Sequence, residues 1–198
     1  MDDLFPASLR PDAIGFDALP HLAPVFFAIY PSAADLPRVV TWQRRICGQI
    51  APSTISLRPP GLLHVSVALC GTPRRQRQSL PDALRAAAAQ FACPAFELRL
   101  EATAGFGADG RAFVAVADAA GTRAVHGLRL ALAEAQQHVG LVAARGMSEA
   151  HLTLGYGDAL PAGRQPVEPL GFRVEAVELV ASQVGHSEHV HIDRWPLK

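Results

Sequence analysis

A four-residue pattern occurs twice in this 198-residue chain, as His64-Val65-Ser66-Val67 and as His151-Leu152-Thr153-Leu154. Both copies read His-x-(Ser/Thr)-apolar, and both lie in short runs with the period of a half-buried strand. Successive side chains of a strand point to opposite faces. His64 and Ser66 therefore share one face and His151 and Thr153 share another, while the residues between them offer an apolar side that can bury. This constrains the fold: two strands from different halves of the chain each need a core behind them and an open face in front. Set side by side, they make a pocket of two imidazoles and two hydroxyls, a set of groups suited to moving protons around a phosphate.

Bulk composition narrows the partners. Lys+Arg and Asp+Glu are 18 each, so the net charge is zero. That argues against salt-driven binding along a long duplex, which needs many phosphate contacts, and leaves room for a local basic pocket around one nucleic-acid end. Hydrophobic residues make up 49% of the chain, enough for a sizeable core. Cys47, Cys70 and Cys93 form no C-x-x-C pair; their odd number argues against a disulfide framework and predicts a reducing, cytoplasmic setting. No apolar run approaches the roughly 20 residues that span a membrane, and the acidic start (Asp2, Asp3) lacks a signal-peptide pattern. No membrane and no obligate protein partner are expected.

Along the chain, residues 1–24, with Pro6, Pro11 and Pro20, read as an irregular extension ahead of one domain over 25–198. Val25 to Tyr30 reads as a buried strand, and residues 33–50 as a helix with Pro37 in its first turn. Pro52 to Gly61 reads as loop. Leu63, Val65, Val67 and Leu69 alternate with His64, Ser66 and Ala68, which predicts the first motif strand with Leu69 on its apolar side. Arg74, Arg75 and Arg77 follow in a connection, and Ser79 is the expected cap of a helix running to about Phe91. Phe96–Ala102 and Arg111–Ala117 read as strands, joined by a turn containing Gly105, Gly107 and Gly110. Residues 122–139 have helical spacing with Gly140 as the stop. Ala150–Tyr156 is the second motif strand, Pro161–Pro169 reads as loop, and Arg173–Val184 with Glu188–Trp195 as a closing hairpin. Strands thus fall both singly and in antiparallel pairs, which predicts an α+β fold with two related halves.

Other chemistries fit less well. Neither a G-x-G-x-x-G nor a G-x-x-x-x-G-K-(S/T) phosphate loop is present, so no nucleotide cofactor is expected. There is no G-x-S-x-G elbow, and Ser66 stands parallel to His64 on one strand, a poor nucleophile–base pair. Zinc sites usually include thiolates or carboxylates beside histidine; neither motif offers one directly, so no metal is expected. His186, His189 and His191 cluster near the C-terminus and read as a solvated hairpin.

These residues together resemble the two-histidine phosphoesterase superfamily, and within it the bacterial 2′-5′ RNA ligases, also described as RNA 2′,3′-cyclic phosphodiesterases. The two H-x-(S/T)-x motifs carry the resemblance. Phe26 to Ile29 is similar to the family's opening strand, Pro59 to Leu69 to its first motif region, Val125 to Gly140 to the helix before the second motif, and Val177 to Ser182 with Arg194-Trp195-Pro196-Leu197 to its closing hairpin. The resemblance spans about residues 25–198. It implies a bilobal α+β fold of two antiparallel sheets with flanking helices, related by pseudo-twofold symmetry around a central cleft, with one motif from each lobe. Many relatives carry arginine two residues beyond the second motif, where this chain has Tyr156; Tyr156 and Arg194 are the candidate substrate contacts in its stead.

The expected reaction is opening of a terminal RNA or oligonucleotide 2′,3′-cyclic phosphate to a 2′-phosphate, with reversible 2′-5′ RNA ligation as an accompanying activity and no cofactor. His64 and His151 are the acid–base pair, and Ser66 and Thr153 the phosphate donors. The alternatives are a two-histidine phosphodiesterase acting on a 2′-5′ oligonucleotide or a small cyclic nucleotide, and a module that binds RNA ends without turnover.

Overall fold

The computed structural model describes residues 23–50, 55–71, 80–107, 110–143, 145–146, 149–158, 160–183 and 188–198. The first 22 residues, the arginines at 74, 75 and 77, the cap position Ser79 and His186 lie outside them.

Among the described residues, nine strands and three α-helices follow in the order β1 (Val25–Ile29), α1 (Leu36–Ile50), β2 (Ile55–Leu57), β3 (Val65–Gly71), α2 (Leu80–Ala88), β4 (Phe96–Phe106), β5 (Ala112–Ala117), α3 (Ala119–His138), β6 (His151–Gly157), β7 (Gln165–Val174), β8 (Ala176–Gln183) and β9 (Glu188–Pro196). A single 3₁₀ turn, Pro60–Leu62, separates β2 from β3. The strands form an antiparallel sheet ordered β7-β4-β5-β6-β3-β1-β8-β9, with β2 on β6. It is built from two four-stranded sets whose innermost members, β6 and β3, are the motif strands. Among the described residues these two share one bridged pair, Val65 with Leu152. The expected pair of antiparallel sheets is thus joined edge to edge at the motifs.

The helices pack on one face. Val39, Trp42 and Ile46 of α1, Leu84 of α2, and Val125, Leu128 and Leu132 of α3 share a buried cluster with Phe27, Val65, Phe113, Leu152 and Leu179 of the strands. α3 starts where Asp118 accepts a hydrogen bond from the Gly121 backbone N–H at 2.6 Å, an N-cap that satisfies one of the first-turn donors. Alternate residues of the same strands face the other way: Phe26, Ala28 and Val180 form a separate small cluster with Tyr30. This second face carries the motif histidines. No described helix is long and apolar enough to cross a membrane.

Two segments read as loop are strands. β2 is only three residues long and lacks a visible period. β7 carries Pro166 and Pro169, which remove ladder donors; they are tolerated because β7 is an edge strand, paired on one side with β4. Leu69, expected on the apolar side, is 47% exposed. The cause is a bulge: Phe27 pairs with Ala68 and Ala28 with Ser66, leaving Val67 as an extra residue, so the alternation flips beyond it.

Candidate active site

The register of the bridged pair builds the site. With Val65 opposite Leu152 in antiparallel strands, His64 falls opposite Thr153 and Ser66 opposite His151, all four on the face away from the helices. Facing residues in such a pair have Cβ atoms about 5 Å apart. The two motifs, remote in sequence, therefore meet as a square of alternating imidazole and hydroxyl.

Both rings are held in the same way. His64 Nδ1 lies 2.7 Å from the Leu62 carbonyl oxygen and His151 Nδ1 lies 3.0 Å from the Glu149 carbonyl oxygen. A carbonyl only accepts, so each Nδ1 carries the proton and donates it. That leaves each Nε2 as the atom able to take a proton from, or once protonated return one to, a bound ligand.

The environments differ. His64 is 6% exposed and packs against Phe26 and Tyr30, with ring centroids 5.5 Å away in each case, and against His189 at 4.8 Å. Burial, then the neighbouring His189 ring and the Arg58 guanidinium, hold its pKa well below the usual histidine value. His151 is half-buried, with Phe106 at 4.8 Å. Burial also lowers its pKa, but the Glu149 carbonyl bond and the Glu149 carboxylate pull the other way.

A second bulge re-aims Tyr156. On β6, Thr153 pairs with Val114 and Gly155 with Phe113, leaving Leu154 as the extra residue. It stands at the fourth position of its motif, as Val67 does in the first. Strict alternation would send Tyr156 to the core; the bulge returns it to the face of His151 and Thr153. There its hydroxyl accepts a hydrogen bond from Arg58 Nη1 at 2.9 Å. Arg194, the other candidate contact, is not brought to the square. It lies on β9 with Nε 3.6 Å from the Glu178 carboxylate, which also holds His191 Nδ1 at 2.6 Å.

Two residues of the site escape sequence reasoning. Arg58 is 4% exposed; it follows β2, a strand too short to register as a pattern. His189 belongs to no solvated hairpin, contrary to the reading from sequence. It is fully buried, its Nδ1 2.6 Å from the Tyr30 hydroxyl and its ring against His64. The pairing of Ser182 with His189 across the closing hairpin puts it there. Among the described residues, no group of three or more His, Cys, Asp or Glu is arranged to hold a metal ion.

The model of the 2′-5′ RNA ligase superfamily matches residues 56–186, more than half of the chain. The chain belongs to this superfamily. Its fold is similar to that of several solved structures. Escherichia coli LigT in its apo form shares 19% identity with a TM-score of 0.69, over 90% of this chain and 99% of that one. The same protein complexed with 3′-AMP gives 20% and 0.68, over 89% and 99%. A Thermus thermophilus protein, TT0787, gives 23% and 0.63, over 88% and 97%. Comparison with curated protein sequences found no match. Both His-x-(Ser/Thr)-apolar repeats fall inside the matched span and supply the four members of the square.

Proposed function

We propose that this chain is an RNA 2′,3′-cyclic phosphodiesterase that opens a terminal cyclic phosphate to a 2′-phosphate. The observation that carries the reading is the register at Val65 and Leu152, which sets two Nδ1-tethered histidines diagonally across two hydroxyls.

The unequal surroundings assign the roles. His64, buried beside Arg58 and His189, is the neutral base. His151, more open and beside Glu149, is the acid. A water oxygen attacks phosphorus as its proton passes to His64 Nε2. The P–O3′ bond breaks as His151 Nε2 gives its proton to the departing oxygen, leaving the phosphate on O2′. Each proton transfer contributes about 10²–10⁴-fold. Ser66 and Thr153 hydroxyls donate to the non-bridging oxygens, where charge grows as the five-coordinate state forms. With a 5′-hydroxyl strand in place of water as the nucleophile, the same ring opening makes a 2′-5′ linkage and frees the 3′-hydroxyl. The cyclic ester itself supplies the driving force, so the scheme calls for no cofactor.

Incubation with a dinucleotide ending in a 2′,3′-cyclic phosphate, followed by phosphorus NMR, tests the reading. The expected product is the 2′-monophosphate. Absence of turnover, or a 3′-phosphate product, overturns it.

A further inference from the structure

Arg58 is the single buried arginine or lysine among the described residues, and its placement is over-determined. After β2 pairs with Gly155–Gly157 of β6, the Arg58 N–H donates to the Leu154 carbonyl at 2.9 Å. The chain then leaves the sheet for the 3₁₀ turn and returns to the same edge of β6 at Val65. The buried Gln43 amide of α1 clamps the departure point, donating to the carbonyls of Arg58 at 2.9 Å and Leu154 at 2.7 Å.

The guanidinium is held from two sides. Nε donates to the Leu62 carbonyl at 3.0 Å, the same oxygen that receives Nδ1–H of His64. Nη1 donates to the Tyr156 hydroxyl oxygen. Guanidinium has no acceptor, so the phenol oxygen must be the acceptor of that bond and its own O–H must point elsewhere. A phenol that accepts from a cation is also a stronger donor, because hydrogen bonds in series polarise one another. The bulge at Leu154 keeps this hydroxyl on the face of His151 and Thr153, and Tyr156 is half-buried, where Arg58 is nearly sealed.

We propose that Tyr156 donates its hydroxyl proton to a non-bridging phosphate oxygen of the substrate, and that Arg58 is the positioning residue that orients and polarises that phenol while fixing His64 through the shared Leu62 carbonyl. The positive charge that a phosphate site needs reaches the anion through the phenol. This rests on the phosphodiester reading above, but its test is separable from it.

The test compares wild type, Tyr156→Phe, Arg58→Lys and the double variant for affinity toward inorganic phosphate by titration calorimetry, and for kcat and KM on the cyclic-phosphate dinucleotide. Lysine keeps the charge but cannot span both oxygens. Each single variant is expected to weaken phosphate binding about five-fold or more and to lower kcat/KM by about 10–100-fold, the size of losing one donor to a developing oxyanion or somewhat less. In phosphate affinity the double variant should lose no more than the worse single one, because Arg58 reaches the anion only through the Tyr156 hydroxyl. Wild-type phosphate affinity in Tyr156→Phe, or affinity losses that multiply in the double variant, overturns the proposal. If Arg58→Lys does not fold, Tyr156→Phe still decides, since its phenyl ring keeps the packing. If wild type turns over no cyclic phosphate, the functional reading falls, while the phosphate titrations continue to judge the pair.

Discussion

Replacing Gly155 by alanine should damage the site without touching any group that does chemistry. Gly155 is paired on both sides, with Phe113 of β5 and with Leu57 of β2. A Cβ built there lies 2.5 Å from the Ser56 carbonyl oxygen and 2.6 Å from Ile55 Cγ2. Ordinary contact begins at 3.4 Å, so the β2 backbone must retreat by about 0.9 Å, and a ladder neighbour has little freedom to do so. Overpacking of this kind costs about 1–3 kcal/mol. At roughly 2–4 °C per kcal/mol for a chain of this size, Tm should fall by about 2–12 °C. Arg58 immediately follows β2 and moves with it. Misplacement by about 1 Å at a reacting centre is worth up to about 10²-fold, so kcat/KM should fall by about 10–100-fold. Scanning calorimetry and steady-state kinetics read the two effects. Gly48→Ala is the control: it sits in α1 with nothing within 4 Å of its added Cβ, and should leave activity unchanged and raise Tm slightly. A Gly155→Ala enzyme with wild-type Tm and wild-type kcat/KM would refute the claim that close approach of β2 sets the site.

Other perturbations report on the paired histidines. His64→Ala or His151→Ala should cut kcat/KM by several orders of magnitude, whereas Ser66→Ala or Thr153→Ala should cost about 10–100-fold; steady-state rates on the cyclic-phosphate dinucleotide check both. Because burial lowers both imidazoles below the usual 6.5, kcat/KM should be bell-shaped with both limbs below that value. The alkaline limb is loss of the His151 proton and the acid limb is protonation of His64; limbs centred above pH 7 would contradict the assignment. Stability should follow the same groups. The unfolded chain binds protons at these histidines at higher pH than the native one does. Their contribution is therefore complete above about pH 6.5 and is lost as pH falls, by up to about 1.4 kcal/mol per pH unit for each. Asp35, lowered by its Ser32 hydrogen bond, adds to the loss only below its usual 3.8. Melting curves from pH 7.5 to 5 should show Tm dropping, with a shallower slope in His64→Gln.

Much of the site was legible because strand alternation needs only residue type. His64, Ser66, His151 and Thr153 could be put on open faces from sequence, and the family resemblance supplied their meeting. Alternation assumes an unbroken ladder, however, and that assumption hid the rest. The bulge at Val67 turned Leu69 outward and the bulge at Leu154 turned Tyr156 into the site; neither residue type announces a bulge. β2 is three residues long, and β7 contains two prolines, so both fall below what periodicity detects. Arg58 and His189 owe their roles to neighbours distant in sequence, Tyr156 for the first and Tyr30 for the second.

Neighbouring strands of a continuous ladder are kept about 4.8 Å apart by successive rungs. Between β3 and β6 one rung is found among the described residues, and the two imidazoles flank it on opposite strands. The spacing between the two imidazoles is therefore governed by how two halves of the molecule lean together through their cores, and substitutions far behind the sheet, in the packing of α1 or α3, acquire a route to tune the proposed chemistry.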